Sequence, residues 1–224
     1  MSAVHLEESH EWTLGRQVPT SVELVGTLRA GSVVADVGCL GWVLGDAVKA
    51  IGGTLIGIDQ VEPPGRPNHA TFAPGSDSTF KVESDSCDLV VAGHVIEHVP
   101  NGTAFTVEML RITKPGGLIW IEAPSELGAL VRASDDPEDH HFRSFWDDPQ
   151  HVRPWPPAAL YRLALSVQAR PLAIQRAQAG DVPVCRMLAR KSDSVSGAPQ
   201  TRYVTLKGVD YGLKAAYESV WGKQ

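Results

Sequence analysis

The residues of this 224-residue chain whose types and spacing could do chemistry are its histidines and a few paired acids. His94 and His98 follow an apolar run and stand four apart, a spacing that on a helix puts both on one face. His140, His141 and His151 lie in a later segment crowded with acids and aromatics, among them Asp147 and Asp148. Histidine is the side chain best suited to take a proton from a hydroxyl near neutral pH, so His141, His94 and then His151 are the candidate general bases. Asp147 and Asp148, with His140 and His141, could hold a hard divalent cation such as Mg2+. Such an ion takes carboxylate oxygens and lowers the proton affinity of a bound hydroxyl. The competing use of these acids is a solvated loop with a helix cap.

Those side chains need a frame, and the chain supplies one in order. Thr20-Ser21 starts a helix with Val22, Leu24, Val25 and Leu28 on its apolar spacing, ended by Ala30-Gly31. The run Val33-Val-Ala-Asp36 reads as a buried strand, followed by a turn bearing Gly38 and Gly41 and a short helical stretch, Val43 to Val48. Glycine at such a turn lets the backbone approach a ligand, and the helix behind it offers unpaired N–H groups. A second strand, Thr54 to Asp59, also ends in an acid about twenty residues past the turn. Together these make a βαβ unit whose second carboxylate, Asp59, can accept both hydroxyls of a ribose.

The segment 61–68 is too rich in proline for a crossover helix and is expected as a loop. A short strand at 70–73 and a polar stretch with Asp77 follow. Then Asp88 to Gly93 reads as a buried strand running into a short helix, with His94 just past the strand end, where open α/β sheets place ligands. An amphipathic helix over 103–113 is stopped by Lys114-Pro-Gly-Gly117, and 118–123 is another strand.

The bulk numbers exclude several classes. A net charge of -6 and a sequence pI near 5.7, with no block of Lys and Arg, argue against a nucleic-acid partner. Cys39, Cys87 and Cys185 are far apart and in apolar settings, so neither a disulfide framework nor a zinc site is expected, and a reducing cytoplasm is. No apolar run approaches the roughly 18 residues of a membrane span, so no membrane partner is expected.

With these pieces in place, the chain resembles the class I S-adenosylmethionine-dependent methyltransferases, in particular those acting on small molecules. The resemblance rests on VVADVGCLGW at 33–42, GID at 57–59, DLVVAGHVIEHVPN at 88–101 and MLRITKPGGLIWIEAP at 109–124. It implies a Rossmann-like α/β fold: seven strands, mostly parallel, with helices on both faces, a long insertion after the fifth strand and one antiparallel strand near the end. It also implies S-adenosylmethionine as cofactor. Asp36 would hold the methionyl amine, Gly38 would let the chain pass, Asp59 would hold the ribose and Asp77 would approach the adenine amine. Gly93 and His94 would line the edge facing the acceptor. Leu40 and Trp42 stand where the family loop has its second and third glycines. Leu40 would therefore bring a Cβ close to the methionine part, and a cofactor groove filled by both would mark a non-catalytic protein of the same fold.

The whole chain reads as one methyltransferase domain, with residues 1–30 as an N-terminal helical cap and 124–168 as a lid that chooses the substrate. That lid is far longer than a usual connection, and its aromatics and histidines argue against disorder. Its run from His141 to Pro154 resembles one found in some saccharide-modifying methyltransferases, so the expected acceptor is a hydroxyl of a small, polar, sugar-containing molecule. A non-sugar acceptor is the alternative. An amide or adenine methyltransferase would carry Asn/Asp-Pro-Pro-Tyr/Phe where this chain has Ala-Gly-His-Val, and a dinucleotide-dependent oxidoreductase would not explain Lys-Pro-Gly-Gly. The amphipathic end, 211–221, would suit a final hairpin or a homodimer contact.

Overall fold

The computed structural model describes residues 18–130, 144–180 and 182–192. Continuous runs of Val, Leu, Ile and Ala with no polar face suit strands covered on both sides, and three of them form the middle of the sheet. β1 (Val33–Val37) lies between β2 (Thr54–Asp59) and β5 (Cys87–Gly93), parallel to both, with Asp36 in register with Gly57 on one side and Val91 on the other. β3 (Ala70–Ser76) continues the parallel sheet beyond β2, and β6 (Thr113–Pro124) continues it beyond β5. The antiparallel pair β7 (Ala169–Ala179) and β8 (Val182–Lys191) completes it, β8 lying against β6.

Among the described residues the order is β4-β3-β2-β1-β5-β6-β8-β7, eight strands rather than the seven expected. The addition is β4 (Thr79–Phe80), two residues antiparallel to the end of β3. No periodicity in so short a piece could announce it, because distant groups hold it. Glu108 accepts the N–H of Phe80 at 2.7 Å, and Arg111 donates to the carbonyls of Phe80 and Val82 at 3.0 and 2.9 Å.

Helices cover both faces. α1 (Ser21–Gly26) opens with a reciprocal cap, in which Thr20 accepts the N–H of Glu23 while the Glu23 carboxylate accepts that of Thr20. It packs with α2 (Gly45–Ala50) over Val34, Leu55 and Leu89. On the opposite face α3 (Gly102–Ile112) and α4 (Pro157–Ser166) bury Phe105, Met109 and Leu160 against Val90, Ile119 and Ile121. Each fully buried side chain of this size stabilises by about 1.5–3 kcal/mol. The sheet is thereby covered on both faces.

Several expected boundaries shift. β3 runs on through Ser76, and Lys114-Pro-Gly-Gly117 lies inside β6. The expected helix after β5 is a tight turn: the N–H of His98 reaches the carbonyl of Val95 at 3.0 Å and that of Val99 reaches Ile96 at 3.3 Å, before Pro100. Five residues closed by a proline are too few to propagate a helix. His94 and His98 therefore do not share a helical face, and His94 itself sits in the left-handed region with φ 55°. The N-terminal part of the expected cap (1–17), residues 131–143 of the expected lid with His140 and His141, and the amphipathic end at 211–221 lie outside the described residues. Among the described residues no helix is long and apolar enough to cross a membrane.

Candidate functional site

At the C-terminal ends of β1 and β2 the chain leaves an open cleft with about 350 Å³ of free space. Gly38, Asp59 and Gln60 form one lip, Asp77 and Phe80 the other, and Val95 and Phe105 supply apolar wall. Gly38 has to be glycine. Its φ is 75°, its N–H is held by the carbonyl of Ile58 at 2.8 Å, and a methyl group there would overlap Cγ2 of Val95. The Asp59 carboxylate accepts the N–H of Gln60 at 2.7 Å, which fixes it at the mouth.

Leu40 and Trp42 leave this cleft open. Gly41 and Trp42 are both left-handed, with φ of 76° and 53°, and the two rotations carry the indole under the loop. There Trp42 is 5% exposed and donates from Nε1 to the carbonyl of Pro63. The ring lies on Gly57, where a Cβ would come within 2.6 Å of Cη2 and 2.8 Å of the Cys39 sulfur. A left-handed non-glycine residue costs roughly 1–2 kcal/mol, which burial of a large aromatic offsets. Leu40 is 77% exposed, facing solvent.

Charge at the site is held in two places. Asp36 is buried one residue before the end of β1, and burial, with the charge of Asp59 added, pushes its carboxyl up to about 7. His94, just past β5, lies between two carboxylates: Nε2 is 3.4 Å from Glu122 and Nδ1 is 3.3 Å from Glu97. Glu122 and then Glu97 raise His94 to about 9, against the opposing effect of burial. Burial pushes Glu122 itself upward, but His94 and Arg186 outweigh it and hold the carboxyl below its usual range. Burial likewise drives the Cys39 thiol up to about 12, so it is not a nucleophile at neutral pH.

Residues 144–155, within the segment expected as a lid, fold back on the turn after β5. The N–H of Val152 donates to the carbonyl of Glu97 at 2.7 Å, and Nε1 of Trp155 to that of Ile96 at 3.2 Å. Trp155 also fills the space beside Gly102, where a Cβ would meet the indole at 2.8 Å. This fold-back sets His151 against His98, ring centroids 4.7 Å apart, and stacks it on Phe145 at 4.5 Å.

Asp147 and Asp148 serve as caps here. The first accepts the N–H of Ser144 at 2.8 Å and the second that of Gln150 at 2.7 Å. Phe145 is buried, whereas Trp146 is 54% exposed with its Nε1 on the carbonyl of Ala129. The structure thus gathers Gly38, Asp59 and Asp77 around one cleft with Asp36 behind it, and puts Gly93 and His94 on the neighbouring strand end. It brings His151 to Glu97 and His98 rather than to the cleft. Glu97 is a residue to which sequence reasoning gave no role.

With β4 set aside, the strand order, the single antiparallel insertion of β8 and the glycine-lined cleft at the central strand ends define the class I S-adenosylmethionine-dependent methyltransferase fold. Solved structures agree. An S-adenosylmethionine-dependent methyltransferase from Methanosarcina mazei superposes with a TM-score of 0.60 at 13% identity, covering 80% of this chain and 100% of that one. One from Mesorhizobium loti gives 0.57 at 14% identity, covering 73% and 93%.

Residues 35–121 match the family described as methyltransferase domain. The rat mitochondrial ubiquinone biosynthesis O-methyltransferase is 30% identical over 105 residues, 41% of this chain and 30% of that protein. A methyltransferase of Mycolicibacterium vanbaalenii, itself uncharacterized, is 35% identical over 113 residues, 46% of this chain and 43% of its own length. The chain thus spans less than half the length of these two relatives.

Proposed function

We propose that this chain is a cytoplasmic methyltransferase that uses S-adenosylmethionine to methylate a hydroxyl of a small, polar, sugar-containing acceptor. The observation that carries the cofactor reading is the cleft at Gly38, which a single Cβ would obstruct and which Trp42 leaves open by turning into the core. The donor set suits the group: a buried acid for an ammonium (Asp36), a strand-end acid for a diol (Asp59) and a third acid across the cleft for an exocyclic amine (Asp77). When bound, the cofactor supplies an electrophilic methyl on a sulfonium. What the chain does is orientation, and holding acceptor and methyl donor in one site makes the displacement effectively unimolecular.

An oxygen acceptor is supported by the absence of the Asn/Asp-Pro-Pro-Tyr/Phe signature after β5, where the chain reads Ala92-Gly-His-Val95. A sugar is supported by the lid run 141–154. His94 keeps its proton up to about pH 9, so it serves as a hydrogen-bond donor toward the acceptor oxygen rather than as the base. His151 is turned toward His98. Proton abstraction is assigned to His141, the first of the sequence-based candidates. The decisive experiment is calorimetric titration of the purified chain with S-adenosylmethionine and S-adenosylhomocysteine, followed by turnover on a panel of sugar-containing and non-sugar hydroxyl acceptors. Micromolar binding of both is expected, weakened at least tenfold in Asp59→Ala. His141→Ala is expected to abolish turnover with cofactor affinity nearly intact. No binding of either compound refutes the cofactor reading, and turnover confined to non-sugar acceptors refutes the sugar assignment.

A further inference from the structure

The turn after β5 and the folded-back lid place one ligand-type atom each from Glu97, His98 and His151 within 4.8 Å of one another. Glu97 is 0% exposed, yet neither of its carboxylate oxygens has a hydrogen-bond partner, and the buried Nδ1 of His98 has none either. His94 lies 3.3 Å from one Glu97 oxygen, at ion-pair range but without hydrogen-bond geometry, and the other oxygen has no hydrogen-bond partner. A buried carboxylate left in this state is costly, by several kcal/mol in general. The charge of His94 offsets part of that cost but satisfies neither oxygen's hydrogen bonding, and a cation shared with the imidazoles of His98 and His151 would do so. The Nδ1 of His151 lies 2.6 Å from the carbonyl of Phe145, which can only accept, so Nδ1 is the donor there and Nε2 is the atom left to face a metal. This outer hydrogen bond is how metal-binding histidines are commonly held in one tautomer.

From these observations we infer that Glu97, His98 and His151 form a divalent transition-metal site. Two imidazoles and one carboxylate select Zn2+, Co2+ or Mn2+ over Mg2+, which prefers an all-oxygen shell. Three protein ligands is the number that leaves a coordination position open. Resting on the methyltransferase reading, that position takes an oxygen of the acceptor and holds it beside His94. This site differs from the one expected at Asp147 and Asp148, although Oδ2 of Asp148 lies 3.8 Å from Nε2 of His151 and borders it.

The test uses the full chain stripped of metal with a chelator and titrated with CoCl2, followed by calorimetry and visible absorption, then with ZnCl2 as competitor. The wild type is expected to bind one equivalent of Co2+ with a ligand-field spectrum of imidazole type, to lose it to Zn2+, and to ignore millimolar Mg2+. Glu97→Gln, close in shape and neutral, and His151→Ala should each weaken Co2+ at least tenfold, whereas the double variant His140→Ala/His141→Ala should bind as wild type. Thermal unfolding without metal checks that the variants are folded, and added Zn2+ should raise the melting temperature of the wild type alone. The inference is overturned if the wild type takes up no stoichiometric Co2+, or if Glu97→Gln and His151→Ala bind as wild type. Loss of Co2+ only in the His140/His141 variant would also overturn it. Titration of the same samples with S-adenosylmethionine separates the readings: metal without cofactor sinks the function, and cofactor without metal sinks only this site.

Discussion

Asp36 offers the sharpest test of the reasoning, because its carboxyl is pushed from 3.8 to about 7 by burial and by Asp59. A rise of about three pH units corresponds to roughly 4 kcal/mol, at 1.36 kcal/mol per unit. Its sign follows from linkage: a group bound to its proton more tightly in the folded chain favours folding most below the unfolded value of 3.8. That contribution shrinks as the pH rises and is gone above about 7. Asp36→Asn removes the charge and keeps the shape. At pH 8 the variant should therefore be more stable than the wild type, by up to about 4 kcal/mol, and the gap should close at about 1.4 kcal/mol per pH unit toward pH 5. Urea unfolding of both proteins at pH 5, 6, 7 and 8 measures this directly. A stability difference that does not change with pH would show that Asp36 is not the buried, proton-holding acid described here. On the proposed cofactor reading the same residue makes affinity for S-adenosylmethionine climb through pH 7 in the wild type. The variant should bind weakly and without that climb.

Gly38→Ala forces a side chain into a left-handed turn, roughly 1–2 kcal/mol. It also drives Val95 off its rotamer, about 0.5–1.5 kcal/mol more. Urea unfolding should show a loss of about 2–3 kcal/mol, of which Val95→Ala in the same chain recovers only the second part; full recovery would mean that the turn is not strained. Trp42→Ala should cost about 3–5 kcal/mol as a core deletion, while Leu40→Ala, at an exposed site, should stay within about 0.5 kcal/mol. If Leu40→Ala were the more damaging of the two in thermal unfolding, the placement of the loop would be wrong.

The central strands were legible because burial on both faces imposes continuous apolar runs, and the acids at 36 and 59 stand out at their ends. What escaped the sequence was settled by groups remote along the chain. The direction of Trp42 depends on the gap at Gly57, and that glycine inside a strand was the available sign that something packs close there. β4 exists because Glu108 and Arg111 fasten Phe80 and Val82. The expected pairing of His94 with His98 failed because periodicity assumes a helix, whereas Pro100 allows only a turn, and that turn points Glu97 inward. Its meeting with His151 needed the lid to fold back, which no local pattern encodes. Only the adjacency of Glu97 and His98 hinted at shared chemistry.

The fold-back also bears on how such enzymes could be re-engineered. Exchanging lids between methyltransferases is an obvious way to transplant acceptor preference, and Ser144, at the start of the short helical turn Phe145–Asp147, is a convenient splice point. Yet Val152 and Trp155 are stitched to the backbone at Glu97 and Ile96, and Trp155 occupies the notch that Gly102 leaves. A chimera joined at 144 would import a foreign clasp onto a native turn. The interchangeable cassette therefore ends after Trp155, and a graft that carries that residue requires a glycine at the start of α3 in its host.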